Sequence, residues 1–339
     1  MIKTAYTIDL RPQLPFYTTG NRYQTDPPRN VGYTLILLHA TGLHKETWEP
    51  VIQLLFGLSS KHSAPQGTIR EAWAIECPNH GQSAVLNEKE LEHTCTEEWD
   101  GWIYPRAVHA FLASSPSGLN LSEHKFIVAG HSMGGNAAVL LTALTPQLHI
   151  ESVVLLDGTI ASKSPERDHM DIILAQLVWP KPDVWRSRKD ALRWHSSAPG
   201  FKSWDKAALE LFVEYGLKAH PASKYPPPFT FKGVTLACNK SYEAACYRAK
   251  THQEEAWEQL QHLHAYGPPV HVILSEKDEF SGAKLKQALL KGKYRGGAAS
   301  VQYVENTSHM FPQQRPEATA RALWKAIQAS SERTPAAKL

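Results

Sequence analysis

Residues 126–141 read FIVAGHSMGGNAAVLL, and Ser132 stands among Gly130, Gly134 and Gly135. Glycine inside a strand or helix costs stability, so three within six residues require a reason. A G-x-S-x-G run between an apolar strand and a helix is the pattern of a nucleophile elbow, a sharp turn that exposes a serine oxygen. The bland alternative is an ordinary turn that uses glycine only to bend. A serine hydroxyl is a weak nucleophile at neutral pH and needs a base within hydrogen-bond reach. It also needs amide donors aimed at the developing oxyanion, each worth about 3 kcal/mol of barrier. The chemistry is then acyl transfer through an acyl-serine.

The other parts of such a machine have candidates. The amide of Met133, at the start of the helix, is one oxyanion donor. The amide of Thr41 in LLHATGLHKETW is the second, with Gly42 letting the loop turn. The base is His309 in ENTSHMFPQQRPE, after the last strand. Among seventeen histidines its main competitors are His80 in CPNHGQS and His131. These two are read as shaping the loop after the fourth strand and packing within the elbow. The acid has two candidates, Asp157 at the end of SVVLLD and Asp278 in SEKDEF. Either strand end could place a carboxylate behind the histidine, where it fixes the tautomer and stabilises imidazolium.

These residues need a scaffold. Strands are expected at 5–10, 34–39, 72–77, 125–130 and 152–157, with a shorter one at 17–19. Helical patterns lie between them, around 48–58, 99–113 and 134–144. This alternation predicts a largely parallel βαβ sheet covered on both faces. From 158 to 267 the rhythm stops, and an aromatic, helical segment reads as an inserted lid. Strands resume at 270–275 and 301–304, followed by a last helix at 316–328 and a tail at 330–339. The core is therefore 1–157 with 268–329.

A 339-residue chain with 42% hydrophobic content can bury one large domain with an inserted lobe. Its formal charge of +3 is too close to balance for a nucleic-acid binder. Cys77, Cys95, Cys238 and Cys246 lack metal-site spacing and read as reduced thiols. No apolar leader or membrane-length run is present, so a soluble, non-secreted protein is expected. The triad needs no metal or cofactor.

His39-Ala40-Thr41-Gly42, Pro78–Ser83, Gly130–Gly134 and Ser308-His309, in that order, resemble the α/β-hydrolase fold. Ala40 departs from the His-Gly-X usual in that loop. HATGLHKETWEP and PNHGQSAVLNE more narrowly resemble fungal peroxisomal hydrolases such as the acyl-CoA hydrolase of mycophenolic acid biosynthesis. That resemblance implies a carboxylate after the strand following the nucleophile helix, which maps onto Asp157, and a thioester or ester substrate. A serine at the elbow argues against haloalkane dehalogenases and epoxide hydrolases, which place an aspartate there. The terminal Ala337-Lys338-Leu339 is similar to the Ser-Lys-Leu peroxisomal address, implying an import receptor as partner.

An acyl-CoA thioesterase is the leading expectation. A carboxylesterase or lactonase, an acyltransferase with the same triad, and a binding protein without activity are the alternatives. Trp179, Trp185, Trp194, Tyr225, Phe229 and Phe231 are expected to pack as lid core or to meet a bulky acyl group. Arg186, Arg188, Lys189 and Arg193 are read either as a contact for CoA phosphates or as a solvated helix face.

Overall fold

The protein is described from a computed structural model covering residues 1–61, 67–95, 97–249, 251–277, 282–293 and 296–332. Its strands are β1 (Ile2–Asp9), β2 (Tyr17–Gln24), β3 (Tyr33–Leu38), β4 (Ile69–Ile75), β5 (Phe126–His131), β6 (Ile150–Leu156), β7 (Val184–Trp185), β8 (Leu217–Ala219), β9 (Val234–Leu236), β10 (Val270–Ser275) and β11 (Ser300–Val304). Eight of them form one sheet in the order β1-β2-β4-β3-β5-β6-β10-β11. β1 and β2 are antiparallel to each other, and β2 is antiparallel to β4. From β4 to β11 every neighbouring pair is parallel.

The apolar runs in β3, β5, β6 and β10 follow from burial on both faces. In β3, Ile36 and Leu38 join one core with Phe126, Val128, Trp73 and Ile75. Leu35 and Leu37 point the other way and join Ala72, Ala74, Ile127 and Ala129. The helices Ile103–Ala113, Met133–Leu141 and Thr251–Tyr266 cover the first face. Glu49–Ser60 and Pro316–Ser331 cover the second.

Three expectations are revised. The short strand expected at 17–19 runs on to Gln24 through Gly20. A Cβ at Gly20 would lie 2.6 Å from the Phe111 ring, so the glycine marks a close approach rather than a strand end. The last helix extends to Ser331, and Ser330 is buried with its Oγ bonded to Ser152 and His271, so residues 330 and 331 belong to the packed helix and not to a tail. The inserted segment is also not wholly helical: β7, β9 and β8 form a small antiparallel sheet beside its helices.

The lid aromatics divide unexpectedly. Trp185 and Trp194 pack with His195, Phe201, Trp204 and Phe212. Trp179, Tyr225, Phe229 and Phe231 are exposed, neither lid core nor cavity wall.

The turn from β5 into the helix Met133–Leu141 presses against neighbouring backbone at two glycines. A Cβ on Gly130 would stand 2.0 Å from the Gly134 carbonyl oxygen. One on Gly134 would stand 2.3 Å from the carbonyl oxygen of Leu38, the last residue of β3. Both obstacles are backbone, so neither can move aside cheaply. Gly134→Ala should therefore lower stability by about 1–3 kcal/mol, as overpacking does. Gly57→Ala has open space around it in the helix Glu49–Ser60 and should instead raise stability by about 0.5–1 kcal/mol. Urea unfolding midpoints of the two variants check the contrast.

Candidate active site

Ser132 is the N-cap of the helix Met133–Leu141 and has φ 54° and ψ −117°. A non-glycine residue with positive φ is strained, a feature that clusters at functional sites. The turn is held by the Ser132 amide donating to Leu156 O at 3.0 Å and the Gly135 amide donating to Ser132 O at 2.8 Å. The Ser132 side chain makes no capping bond to its own helix. Its oxygen is thus not spent on the helix end, and Ser132 lines a cavity of about 300 Å³ together with His309.

His309 follows β11 and precedes the short helix Phe311–Gln314. Its Nδ1 lies 3.4 Å from Asp157 Oδ2. Asp157 directly follows β6 and also has a positive φ, 41°. Its carboxylate accepts from the Ser275 amide at 3.0 Å and from Ser275 Oγ at 2.6 Å. Burial by itself would raise the Asp157 pKa, but His309 and the two Ser275 donors outweigh it and hold the carboxyl below its usual range. The structure thus brings Asp157 to His309, while Asp278 lies outside the described residues. Ser275, which anchors the acid from the end of β10, carries no motif that sequence reading could have found.

Thr41 and Met133, the two candidate oxyanion donors, both line this cavity. Met133 is the first helical residue, where an amide has no intrahelical acceptor. Among the described residues the Thr41 amide also finds no protein acceptor. The next amide, Gly42, is occupied: it donates to His80 Nε2 at 2.9 Å, while His80 Nδ1 meets Asn79 Oδ1 at 2.6 Å. His80 therefore works on the Thr41 loop, as well as shaping its own. Gly42 has φ 76°, so the loop needs glycine there, whereas Ala40 is accommodated as a buried residue.

Three histidines support this site as neutral rings. His39 Nε2 accepts from the Cys77 amide and His39 Nδ1 donates to Ala40 O. Burial pushes the His39 pKa down to about 3. His131 Nε2 donates to His309 O at 2.8 Å, and burial next to His309 pushes its pKa down to about 3 as well. Burial holds His80 well below its ordinary value. His131, expected to pack within the elbow, in fact fastens the His309 backbone.

Beneath the Thr41 loop, Lys45 Nζ lies 3.0 Å from Glu46 Oε1 and 3.2 Å from Glu76 Oε1. Glu76 Oε2 also accepts from the Ser83 amide and Thr19 Oγ1. Gly81 passes so close to Glu76 that a Cβ would lie 2.1 Å from Oε1, which explains the glycine of PNHGQS. The four cysteines are buried, and three of them contact Asn79. Burial raises all four thiol pKa values, that of Cys95 to about 11. Of the basic run, Arg188 donates to Glu214 O and Leu217 O, and Arg193 pairs with Asp190.

A parallel sheet with a serine elbow, a late histidine and an acid at a strand end defines the α/β-hydrolase class of folds. The profile of the alpha/beta hydrolase family matches residues 35–322, and the chain belongs to that family. No curated protein sequence matches. Among solved structures, the peroxisomal alpha-beta-hydrolase Lpx1 from Saccharomyces cerevisiae is similar at TM-score 0.73 and 14% identity, over 99% of this chain and 90% of that one. A thioesterase domain from the curacin biosynthetic pathway matches at TM-score 0.62 and 10% identity, over 97% and 100% of the two chains. An esterase from M. tuberculosis matches at 0.61 and 16%, over 97% and 93%. At these identities the likeness is one of fold. No helix among the described residues is long and apolar enough to cross a membrane.

The neutral histidines give the site a pH signature. Each has a folded pKa below its unfolded value of about 6.5, so the unfolded chain binds the extra proton first. Their contribution is complete above pH 6.5 and is lost as pH falls toward about 3. Replacing His131 with Gln should flatten the slope of unfolding free energy between pH 6 and 4 by up to about 1.4 kcal/mol per pH unit. Urea titrations of wild type and variant across that range measure it.

Proposed function

We propose that the protein is a serine hydrolase that cleaves an acyl thioester or ester through an acyl-enzyme, with an acyl-CoA as the leading substrate class. The observation that carries this reading is that Ser132 and His309 line one cavity together with Thr41 and Met133, while Asp157 lies 3.4 Å behind His309 Nδ1. In this mechanism His309 takes the Ser132 proton as Oγ attacks the acyl carbonyl carbon. Asp157 fixes the imidazole with Nδ1 protonated and stabilises the imidazolium. The two amides hold the oxyanion of the tetrahedral intermediate. His309 then returns the proton to the leaving thiol or alcohol. Water, deprotonated by the same histidine, cleaves the acyl-serine and releases the acid.

The thioester preference draws support from the sequence likeness to fungal acyl-CoA hydrolases and from the fold shared with a thioesterase domain. The fold is equally shared with esterases, so oxygen esters are the second reading. The predominantly apolar cavity, with Met170, Leu174, Trp194, Phe201 and Trp204 in its wall, suits an apolar acyl chain. A peroxisomal location is part of the proposal. It is supported by Ala337-Lys338-Leu339 and by the peroxisomal assignment of a structural relative, with the tripeptide engaging an import receptor.

Matched panels of acyl-CoA thioesters and oxygen esters test the reaction. Ser132→Ala and His309→Ala should each lose at least about 10⁴-fold in kcat, and Asp157→Asn a similar factor. Full activity in Asp157→Asn together with loss in Asp278→Asn would move the acid to Asp278. Turnover of oxygen esters alone would establish an esterase, and acyl transfer to an added alcohol in place of hydrolysis would establish an acyltransferase. For the location, an amino-terminal fluorescent fusion should colocalise with a peroxisomal marker in fungal cells. Removal of Leu339 should disperse it.

A further inference from the structure

The cavity wall opposite the elbow helix is not uniformly apolar. The lid helix Pro165–Val178 contributes Arg167 and Asp171, one turn apart, which are 3% and 5% exposed. Arg167 Nη1 donates to Thr159 O, while Thr159 Oγ1 donates to Asn136 Oδ1 at 3.4 Å. Asn136 lies four residues along the helix from Ser132, a rise of about 6 Å. A polar track therefore runs from the serine through Asn136 and Thr159 to the pair. Gln253 Nε2 closes it by donating to Asp171 Oδ2 at 3.2 Å. All of these groups line the same cavity as Ser132 and His309.

The track has unfilled hydrogen-bonding capacity. Arg167 Nε, 3.4 Å from Asp171 Oδ2, and the nearby His252 Nδ1 make no hydrogen bond but are shut off from the cavity, so the open donor is Arg167 Nη2, which has no hydrogen-bond partner among the described residues. Among the described residues Asp171 Oδ1 receives no donor. Leaving a buried polar group unpaired costs about 1–3 kcal/mol. A buried ion pair is itself a poor source of stability, because desolvation offsets most of its attraction. A lid that served only as a cover would do as well with apolar residues at 167 and 171.

The charges define what could complete the track. Arg167 and Lys181 are the Arg and Lys side chains lining the cavity among the described residues, and Asp171 and Glu243 are its carboxylates. Each cation is matched, with Lys181 Nζ lying 2.7 Å from Glu243 Oε1. An anionic ligand would face Asp171 with no surplus positive charge to hold it. A hydroxyl carries no charge, accepts from an Arg N–H and donates to a carboxylate oxygen. We propose that Arg167, Asp171 and Gln253 form a specificity subsite for a hydroxyl group borne by the acyl chain of the substrate. The subsite rests on the hydrolase reading for its orientation to Ser132, but binding can be measured without turnover.

The test uses N-acetylcysteamine thioesters of octanoic acid, of hydroxyoctanoic acids with the hydroxyl placed from C3 to C8, and of suberic acid. In wild type, at least one hydroxyl position should exceed octanoyl by tenfold or more in kcat/KM, and suberoyl should fall below it. The corresponding free acids should show the same order of Kd with Ser132→Ala by calorimetry. The charge-free pair Arg167→Met with Asp171→Leu should erase the hydroxyl-to-methyl ratio. Asp171→Asn, which keeps the volume, should leave a net positive wall and shift preference toward suberoyl. Octanoyl equal to every hydroxylated chain, a ratio that survives the double replacement, or suberoyl preferred by wild type would each overturn the subsite. Absent turnover with the Kd preference intact would support the subsite and fault the reaction assigned to Ser132.

Discussion

Everything at this site depends on how closely the elbow passes the end of β3. The helix Met133–Leu141 can begin where it does only because Gly134 approaches Leu38 O and Gly130 approaches Gly134 O, each within a distance that a Cβ would violate. That crossing puts Ser132 into a strained positive-φ conformation and turns its oxygen away from the helix end. It also brings the helix amino terminus beside the loop that leaves β3, so Met133 and Thr41 line one cavity. The strain is sustained by the surrounding sheet, whose β3, β5 and β6 are buried and bonded on both sides.

A second layer of side chains fixes what the crossing delivers. His80 and Asn79 hold the Gly42 amide, His131 holds the His309 carbonyl, and Ser275 holds the Asp157 carboxylate. Apart from the contact between the neighbours Asn79 and His80, each of these bonds joins segments far apart in the chain. Together they tie the loops after β3, β4, β6 and β11 and the last residues of β5 and β10 into a rim at the carboxyl ends of the strands. Open α/β sheets bind ligands at that end, where loops can vary while the sheet stays rigid.

Much of this was legible in the sequence, for a physical reason. Buried parallel strands read as short apolar runs, so TLILLH, FIVAGH and SVVLLD mark β3, β5 and β6 directly. The elbow was legible because only glycine satisfies its backbone contacts. β2 was truncated on reading because Gly20 looks like a terminator, although it makes room for Phe111. The choice between Asp157 and Asp278 was open because both follow sheet strands, and local pattern carries no information on which strand end meets His309. Ser275 and the Arg167–Asp171 pair were invisible, since their meaning lies in partners more than eighty residues away. The aromatic lid misled for a related reason: Phe229 and Tyr225 have the composition of a core but lie on the surface.

The cysteines bear on how the protein meets oxidants. A thiolate attacks a peroxide oxygen and expels hydroxide, and both exposure and acidity of the thiol govern the rate. All four thiols of this chain are buried and their pKa values raised by burial, including Cys238 and Cys246 in the wall of the cavity that Ser132 also lines. In the proposed mechanism the attacking group is the Ser132 hydroxyl, which such oxidants do not convert to a sulfenic acid. Oxidation at this cavity would then fall on the thioethers of Met133, Met170 and Met310 and not on a thiol.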